Sequence, residues 1–339
     1  MKVLIIISVI LIVIGLAIGI ISLASIDFDF KNSEKRISES FTVTEDITSV
    51  KIDTGASGID VIIKKGTDAS AKLDIVRRDV QTVEYSVSDG ALIVSADKKS
   101  NFIHNIFNFG SGYAITLTLP EKIYDSFDID TTSGDIKISD FTLSGEMKLD
   151  SASGDMSLIG INAKSVTTSS ASGTVEINRL KAAEGITLSA ASGDFELTGI
   201  VANSLSIKGA SSDVEIEKST LDFISKIETA SGDIDLTDIY TTAEVNIDTT
   251  SGEISIVNSI LGGRLTVEST SADISLFNSD AAELDIKSTS GDVTLELLTP
   301  KNIVTDTTSG EVNIHGNIYT SPLCKIKTTS GDISVKVKG

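Results

Sequence analysis

The sequence predicts an all-β protein: a β-solenoid, or β-helix, of about eleven coils of ~20 residues, with a β-rich capping region before it and one transmembrane helix at the front. Three observations predict it. First, the phrase Thr-Thr-Ser-Gly-Asp at 131–135 keeps returning until Asp332. Aligned on its Gly, the column reads Gly134, Gly154, Gly173, Gly193, Ser212, Gly232, Gly252, Ala272, Gly291, Gly310 and Gly331, always preceded by Ser, in steps of 19 to 21 residues. Second, the positions two and four past this column are apolar in every copy, from Ile136 and Ile138 to Ile333 and Val335. Third, residues 3–24 form an uncharged run rich in Ile, Leu and Val.

The N-terminal run comes first. It is long enough to cross about 30 Å of hydrocarbon as a helix. Lys2 precedes it and Asp27 and Asp29 follow, so the charge rule for membrane segments leaves the N-terminus inside and the body outside. Ser22-Leu23-Ala24 would suit signal cleavage, but the run exceeds the usual 7–15 residues of a cleaved leader. An uncleaved anchor over residues 1–25 is therefore expected. The chain is then placed in the cell membrane as a single-pass protein with an extracellular C-terminal domain.

Residues 26–39, polar and charged, read as a juxtamembrane spacer. Residues 40–120 are β-rich without the 20-residue beat, with strands expected at 49–53, 59–64, 71–76, 83–87, 91–96 and 113–119. Ser88-Asp89-Gly90 reads as a hairpin turn, and Thr54-Gly55-Ala56-Ser57-Gly58 as a looser form of the repeat corner. Within this region Phe102, Ile103, Ile106, Phe107 and Phe109 concentrate large apolar side chains. They form either a flap over the open end of the stack or an apolar patch that docks a partner or the membrane.

Residues 121–339 carry the repeat. Apolar residues two apart, with polar ones between, are the pattern of a half-buried strand. Five before the Gly column the chain is again aliphatic, from Ile129 to Ile326, with Thr168 and Thr305 as exceptions. The minus-five and plus-two positions differ by an odd number, so the Ser-Gly-Asp step must bend the chain to keep both sets inward. Gly reaches the angles such a bend needs, and the Asp that follows can hold it by bonding nearby amides. Coils stacked at about 4.8 Å make a prism roughly 50 Å long with aliphatic ladders inside. The last coil, ending at 335–339, lacks a polar cap. Its lysines Lys327, Lys336 and Lys338 would guard an open edge, or the coil would pair with another copy.

The position after the Gly column is acidic in nearly every copy. Asp233, Glu253, Asp273, Asp292, Glu311 and Asp332 form its C-terminal part, and Thr174 is the exception. Neighbouring carboxylates at the stacking distance repel by roughly 1 kcal/mol in water, which must be offset. Corner amides and solvent are one answer. Calcium lying along the ladder is the other, although the Gly-Gly-x-Gly-x-Asp spacing of calcium-binding β-rolls is missing. No other cofactor is expected.

Composition narrows the function. Twenty-eight basic against 48 acidic side chains give a net charge of −20, which disfavours nucleic acid as a partner. The one cysteine, Cys324, falls in an apolar column and reads as a core thiol. Coils of uniform length leave no inserted loops to wall a catalytic pocket. The two histidines, His104 and His315, are far apart, and Trp, the usual sugar platform, is absent. The chain is therefore read as no enzyme.

With the repeats read, the exported part, about 40–339, resembles the bacterial "putative adhesin" family, a domain of unknown function built of short β repeats. The matching features are the lead-in Ala114-Ile115-Thr116-Leu117-Thr118-Leu119-Pro120 and the recurrent Thr-Thr-Ser-Gly-Asp-Ile phrases. The resemblance implies an adhesin-like binding or structural module of the cell envelope, with an envelope protein or polysaccharide as partner. Some similar proteins of Gram-positive bacteria are linked to envelope-stress responses, which makes a sensor acting on a membrane partner the alternative. A carbohydrate-active β-helix enzyme is the third reading.

Overall fold

The structure, a computed structural model, describes residues 35–98, 112–222, 225–316 and 318–338. The compact unit treated below is Ile37–Gly339. The apolar run at 3–24 and the aromatic stretch at 102–109 lie outside the described residues. Among those described, no helix is long and apolar enough to cross a membrane. The helical content there is one short 3-10 turn, Gly55–Ser57.

The chain folds into the expected solenoid, all β, coil upon coil. The plus-two residues form one parallel file: Ile115, Val61, Ile136, Met156, Val175, Phe195, Val214, Ile234, Ile254, Ile274, Val293, Ile333, Val312. The minus-five residues form a second, running Val94, Ile52, Ile129, Leu149, Thr168, Leu188, Ile207, Ile227, Ile247, Val267, Ile286, Ile326, Thr305. Apart from Thr305 and Val312, both files are buried. A coil has no interior of its own; the dry column exists only because each coil covers its neighbours.

The return segment is a third face of short strands, such as Val201–Ala202, Thr220–Leu221 and Tyr240–Thr241. Its entry is a second tight corner, six residues past the Gly column. There the backbone turns left-handed at Asp140, Gly160, Arg179, Gly199, Lys218, Asp238, Asn258 and Asn278, with φ between 49° and 68°. Gly, Asn and Asp tolerate that region and dominate the column.

Spatial order departs from chain order at both ends. Ser49–Asp53 and Asp60–Lys65 form the first coil in sequence, yet it lies between the coil of 126–139 and that of 91–119. The latter is in turn covered by antiparallel strands, Ala71–Arg78 on Ala114–Leu119 and Gln81–Ser88 on Ala91–Lys98. Strand Arg36–Val43, unforeseen in the sequence, then pairs with Ala71–Arg78. Asp89 and Gly90, both at positive φ, make the expected hairpin turn.

At the other end the last coil in sequence is inserted beneath the one before it. Val293–Leu297 pairs with Ile333–Val337, and Ile333–Val337 with Val312–His315. The open end of the stack is thus the coil of 302–315, and this corrects the expectation for residues 335–339. Val335 and Val337 are buried between two coils. Lys327 bridges to Asp306 of the covering coil at 3.1 Å, while Lys336 and Lys338 reach Glu296 on the other side at 3.2 and 3.6 Å. These lysines therefore staple neighbours and do not guard a free edge. Where the chain leaves the third face to climb over the inserted coil, Lys301 and Asp280 form a buried ion pair at 2.7 Å. Thr299 Oγ1 donates to Asp280 at 2.6 Å and accepts from Lys301 Nζ at 2.8 Å.

Candidate functional site

The acidic column is the chemistry-bearing feature that the sequence singled out, and the structure explains it residue by residue. The Oδ1 of Asp60 accepts the N–H of Asp135 at 3.1 Å; Asp135 accepts that of Asp155 at 3.2 Å, and Asp155 that of Thr174 at 2.9 Å. The ladder resumes with Asp194 to Asp213 (3.0 Å), Asp213 to Asp233 (2.8 Å) and Asp233 to Glu253 (2.7 Å). It closes with Asp273 to Asp292, Asp292 to Asp332 and Asp332 to Glu311, each 2.8 Å. The two gaps fall after Thr174, which has no carboxylate, and after Glu253, whose extra methylene moves the oxygens away.

The Asp was expected to hold its own bend. Instead it bonds the next coil, and the bend is held from the other side. Gly134 N–H donates to Thr131 Oγ1 at 2.9 Å, Gly154 N–H to Ser151 Oγ at 2.8 Å, and the Thr249 hydroxyl to the Ser251 carbonyl at 3.0 Å. A charged acceptor on an amide donor is a strong hydrogen bond, so the amides offset the repulsion between rungs. Asp60, the first rung, is half-buried, and burial pushes its carboxyl above the usual range despite its amide partner.

Glycine is required at the corner for close approach as much as for backbone angle. A Cβ on Gly154 would lie 2.0 Å from the Gly134 carbonyl oxygen, and one on Gly252 2.1 Å from that of Gly232. Gly252 also has φ +123°, a region closed to ordinary side chains.

The candidate ladder Asp233, Glu253, Asp273, Asp292, Asp332, Glu311, in spatial order, therefore runs along the corner with its bonding interrupted between Glu253 and Asp273. Among the described residues no group of three or more His, Cys, Asp or Glu side chains is placed to hold a metal ion. The candidate partner-binding residues Phe102, Ile103, Ile106, Phe107 and Phe109 lie outside the described residues.

A groove of about 250 Å³ beside Asp46, Ala71, Pro120 and Tyr124 is spanned by the Lys122–Asp46 ion pair. The Tyr124 hydroxyl there donates to the Pro120 carbonyl, and burial lifts its pKa to about 12. An internal void of about 10 Å³ is lined by aliphatic side chains including Leu205 and Val245. Cys324 is buried in its column as expected, with burial raising its thiol to about 12, which keeps it protonated and inert.

One surface feature has no counterpart among the sequence motifs. On the third face, Val201, Thr220, Tyr240 and Ile260 stand in register and outward, with Val201, Tyr240 and Ile260 exposed. Phe277 is also exposed, with Lys338 Nζ 5.6 Å from its ring.

The Toastrack DUF4097 domain matches residues 47–237, 164–276 and 226–339, so the matches together span every coil. The chain belongs to the Toastrack DUF4097 family. Among solved structures, this Toastrack chain is similar to a "putative adhesin" of Bacteroides fragilis, at 13% identity and TM-score 0.33, covering 90% of this chain and 98% of that one. It is also similar to a "putative cell adhesion protein" of Clostridium sporogenes, at 12% identity and TM-score 0.21, covering 90% and 100%. A "putative adhesin" of Parabacteroides distasonis gives 12% identity and TM-score 0.37, covering 89% and 98%. None of these scores carries an argument about what the Toastrack chain binds. Among curated proteins, none matches the chain in sequence.

Proposed function

We propose that this Toastrack protein is a non-catalytic, adhesin-like module of the bacterial cell envelope, anchored in the membrane through residues 1–25 with the solenoid outside the cell. The observation that carries this reading is the uninterrupted stack: successive copies of the corner stay 19 to 21 residues apart, so no inserted loop builds a substrate cleft. What the stack offers is rigid, flat sheet with side chains repeated at the coil spacing of about 4.8 Å, suited to polymeric or repetitive partners. The outward file of Val201, Tyr240 and Ile260 is the apolar part of that surface. The partner is an envelope protein or polysaccharide.

The test is cosedimentation of the full chain with isolated cell walls, before and after protease treatment and with and without calcium. Release of reducing sugar ends is followed in the same samples. Binding without release, weakened by Tyr240→Lys with Ile260→Lys, supports the reading. Release of sugar ends, or no binding, refutes it.

A further inference from the structure

The open end of the stack points to a partner. The coil of 302–315 pairs on one side only, 302–309 with 323–330 and Val312–His315 with Ile333–Val337. Both core files end there uncovered: Thr305 is half-buried, Val312 is 44% exposed, and Ile303 and Ile314 are half-buried against the core. Every other turn of these files is closed by the next coil. A surface of this kind accepts another β coil.

Among the described residues of one chain no coil is left to supply it, and the opposite end is covered by antiparallel strands. That cover also bars head-to-tail growth, leaving the same end of a second copy. Charge opposes such a contact less here than elsewhere. The chain as a whole carries −20, which would drive copies apart, but residues 301–339 hold five lysines (301, 325, 327, 336, 338) against three acids (306, 311, 332). In the outermost coil Asp306 is paired with Lys327 at 3.1 Å, which leaves Glu311 as its exposed charge. Edge lysines and prolines are how β proteins usually refuse such pairing, and this edge has neither.

We infer that two copies join end to end through the coils of 302–315, about a two-fold axis perpendicular to the stack. Rotation about that axis reverses strand direction, so the two edge coils meet antiparallel and the aliphatic columns run on from one copy into the other.

Sedimentation velocity of the full chain in mild detergent, over a range of concentrations, tests this. The parent protein sediments as a dimer. Thr305→Lys with Val312→Lys, which end the two core files, raises the dissociation constant at least about tenfold with circular dichroism unchanged. Val312→Lys alone serves should the pair fail to fold. Ile260→Lys, an equally exposed apolar position in mid-stack, leaves the dimer intact. A monomeric parent, open-ended filaments, a dimer untouched by the edge lysines, or dissociation by Ile260→Lys would each overturn the inference.

Discussion

Substituting Gly252 by alanine puts the corner geometry to a quantitative test. The new Cβ would sit 2.1 Å from the Gly232 carbonyl oxygen and 2.7 Å from its carbon, both backbone atoms. Real contacts of that kind are about 1 Å longer, so the two coils must part locally or the corner must flatten. Flattening costs about 1–3 kcal/mol, because φ is +123° and a Cβ closes that region. Parting stretches the two bonds that join these coils at the corner: Glu253 N–H to Asp233 Oδ1 at 2.7 Å and Ile234 N–H to the Glu253 carbonyl at 2.8 Å. Each contributes about 1 kcal/mol. By either route Gly252→Ala costs about 2 kcal/mol. Urea unfolding followed by far-ultraviolet circular dichroism measures it, and hydrogen exchange shows where the loss falls. Because the stack is a nearest-neighbour system, faster exchange is expected at Ile234 and Ile254 and little change at Ile136. Ala272→Gly is the control, since that coil already accommodates a Cβ in the same column, and it should cost about 1 kcal/mol at most. A loss below about 0.5 kcal/mol for Gly252→Ala, or one as large for Ala272→Gly, refutes close approach as the reason for the column.

Other outcomes follow from the same contacts. Asp233→Ala removes the acceptor of the Glu253 amide and should lower stability by about 1 kcal/mol in urea unfolding, while Asp233→Asn, which keeps a carbonyl oxygen there, costs less than half of that; equal losses would mean that charge, not the amide bond, matters. Asp130 lies between Asp53 and Asp150 in register, and partial burial followed by those two charges pushes its carboxyl up. A raised folded pKa means that the ionised group disfavours the fold above that pKa, with relief as pH falls through it. Asp130→Asn should therefore melt higher than the parent at pH about 7 and equal to it at pH about 3, below the ordinary aspartate value; a difference independent of pH contradicts this. Lys301→Met leaves buried Asp280 without its ion-pair partner and should cost about 3 kcal/mol, whereas Lys301→Met with Asp280→Leu should recover most of the loss. A double variant as unstable as the single one would show that the pair is not the cause.

Much of this fold is written in the sequence because a solenoid repeats its own instructions. The plus-two and minus-five files needed only the alternation of apolar residues, and even the Cys324 position followed from its column. The acidic column was visible too, but the target of its hydrogen bonds was not. An Asp after a turn bonds its own corner or a neighbour with equal ease, and only stacked coordinates distinguish them. Coil order at the ends was hidden for a deeper reason. Ile333 fits above Val293 as well as Val312 does, so the pattern that reveals the columns carries no information about which coil sits where. The Lys301–Asp280 pair marks the crossing, yet a lysine after Thr299-Pro300 reads as a surface residue until its surroundings are known. The second corner went unread, although Asp140, Gly160, Gly199, Asp238, Asn258 and Asn278 are the residue types a left-handed turn selects. Val201 and Tyr240 of the exposed file lie on strands of two residues, too short for alternation to say which way a side chain faces.

Cysteine pairs across the C-terminal coils test the stacking order most directly. Ser290 and Ser330 bridge neighbouring coils, at the spacing of about 4.8 Å that a disulfide spans. Ser290 and Ser309 stand two coils apart, near 9.6 Å, beyond disulfide reach. Under mild oxidation Ser290→Cys with Ser330→Cys should cross-link fully within one chain, and Ser290→Cys with Ser309→Cys should not. The reverse pattern would mean that the coils stack in chain order, and both the inserted last coil and the open end at 302–315 would be wrong.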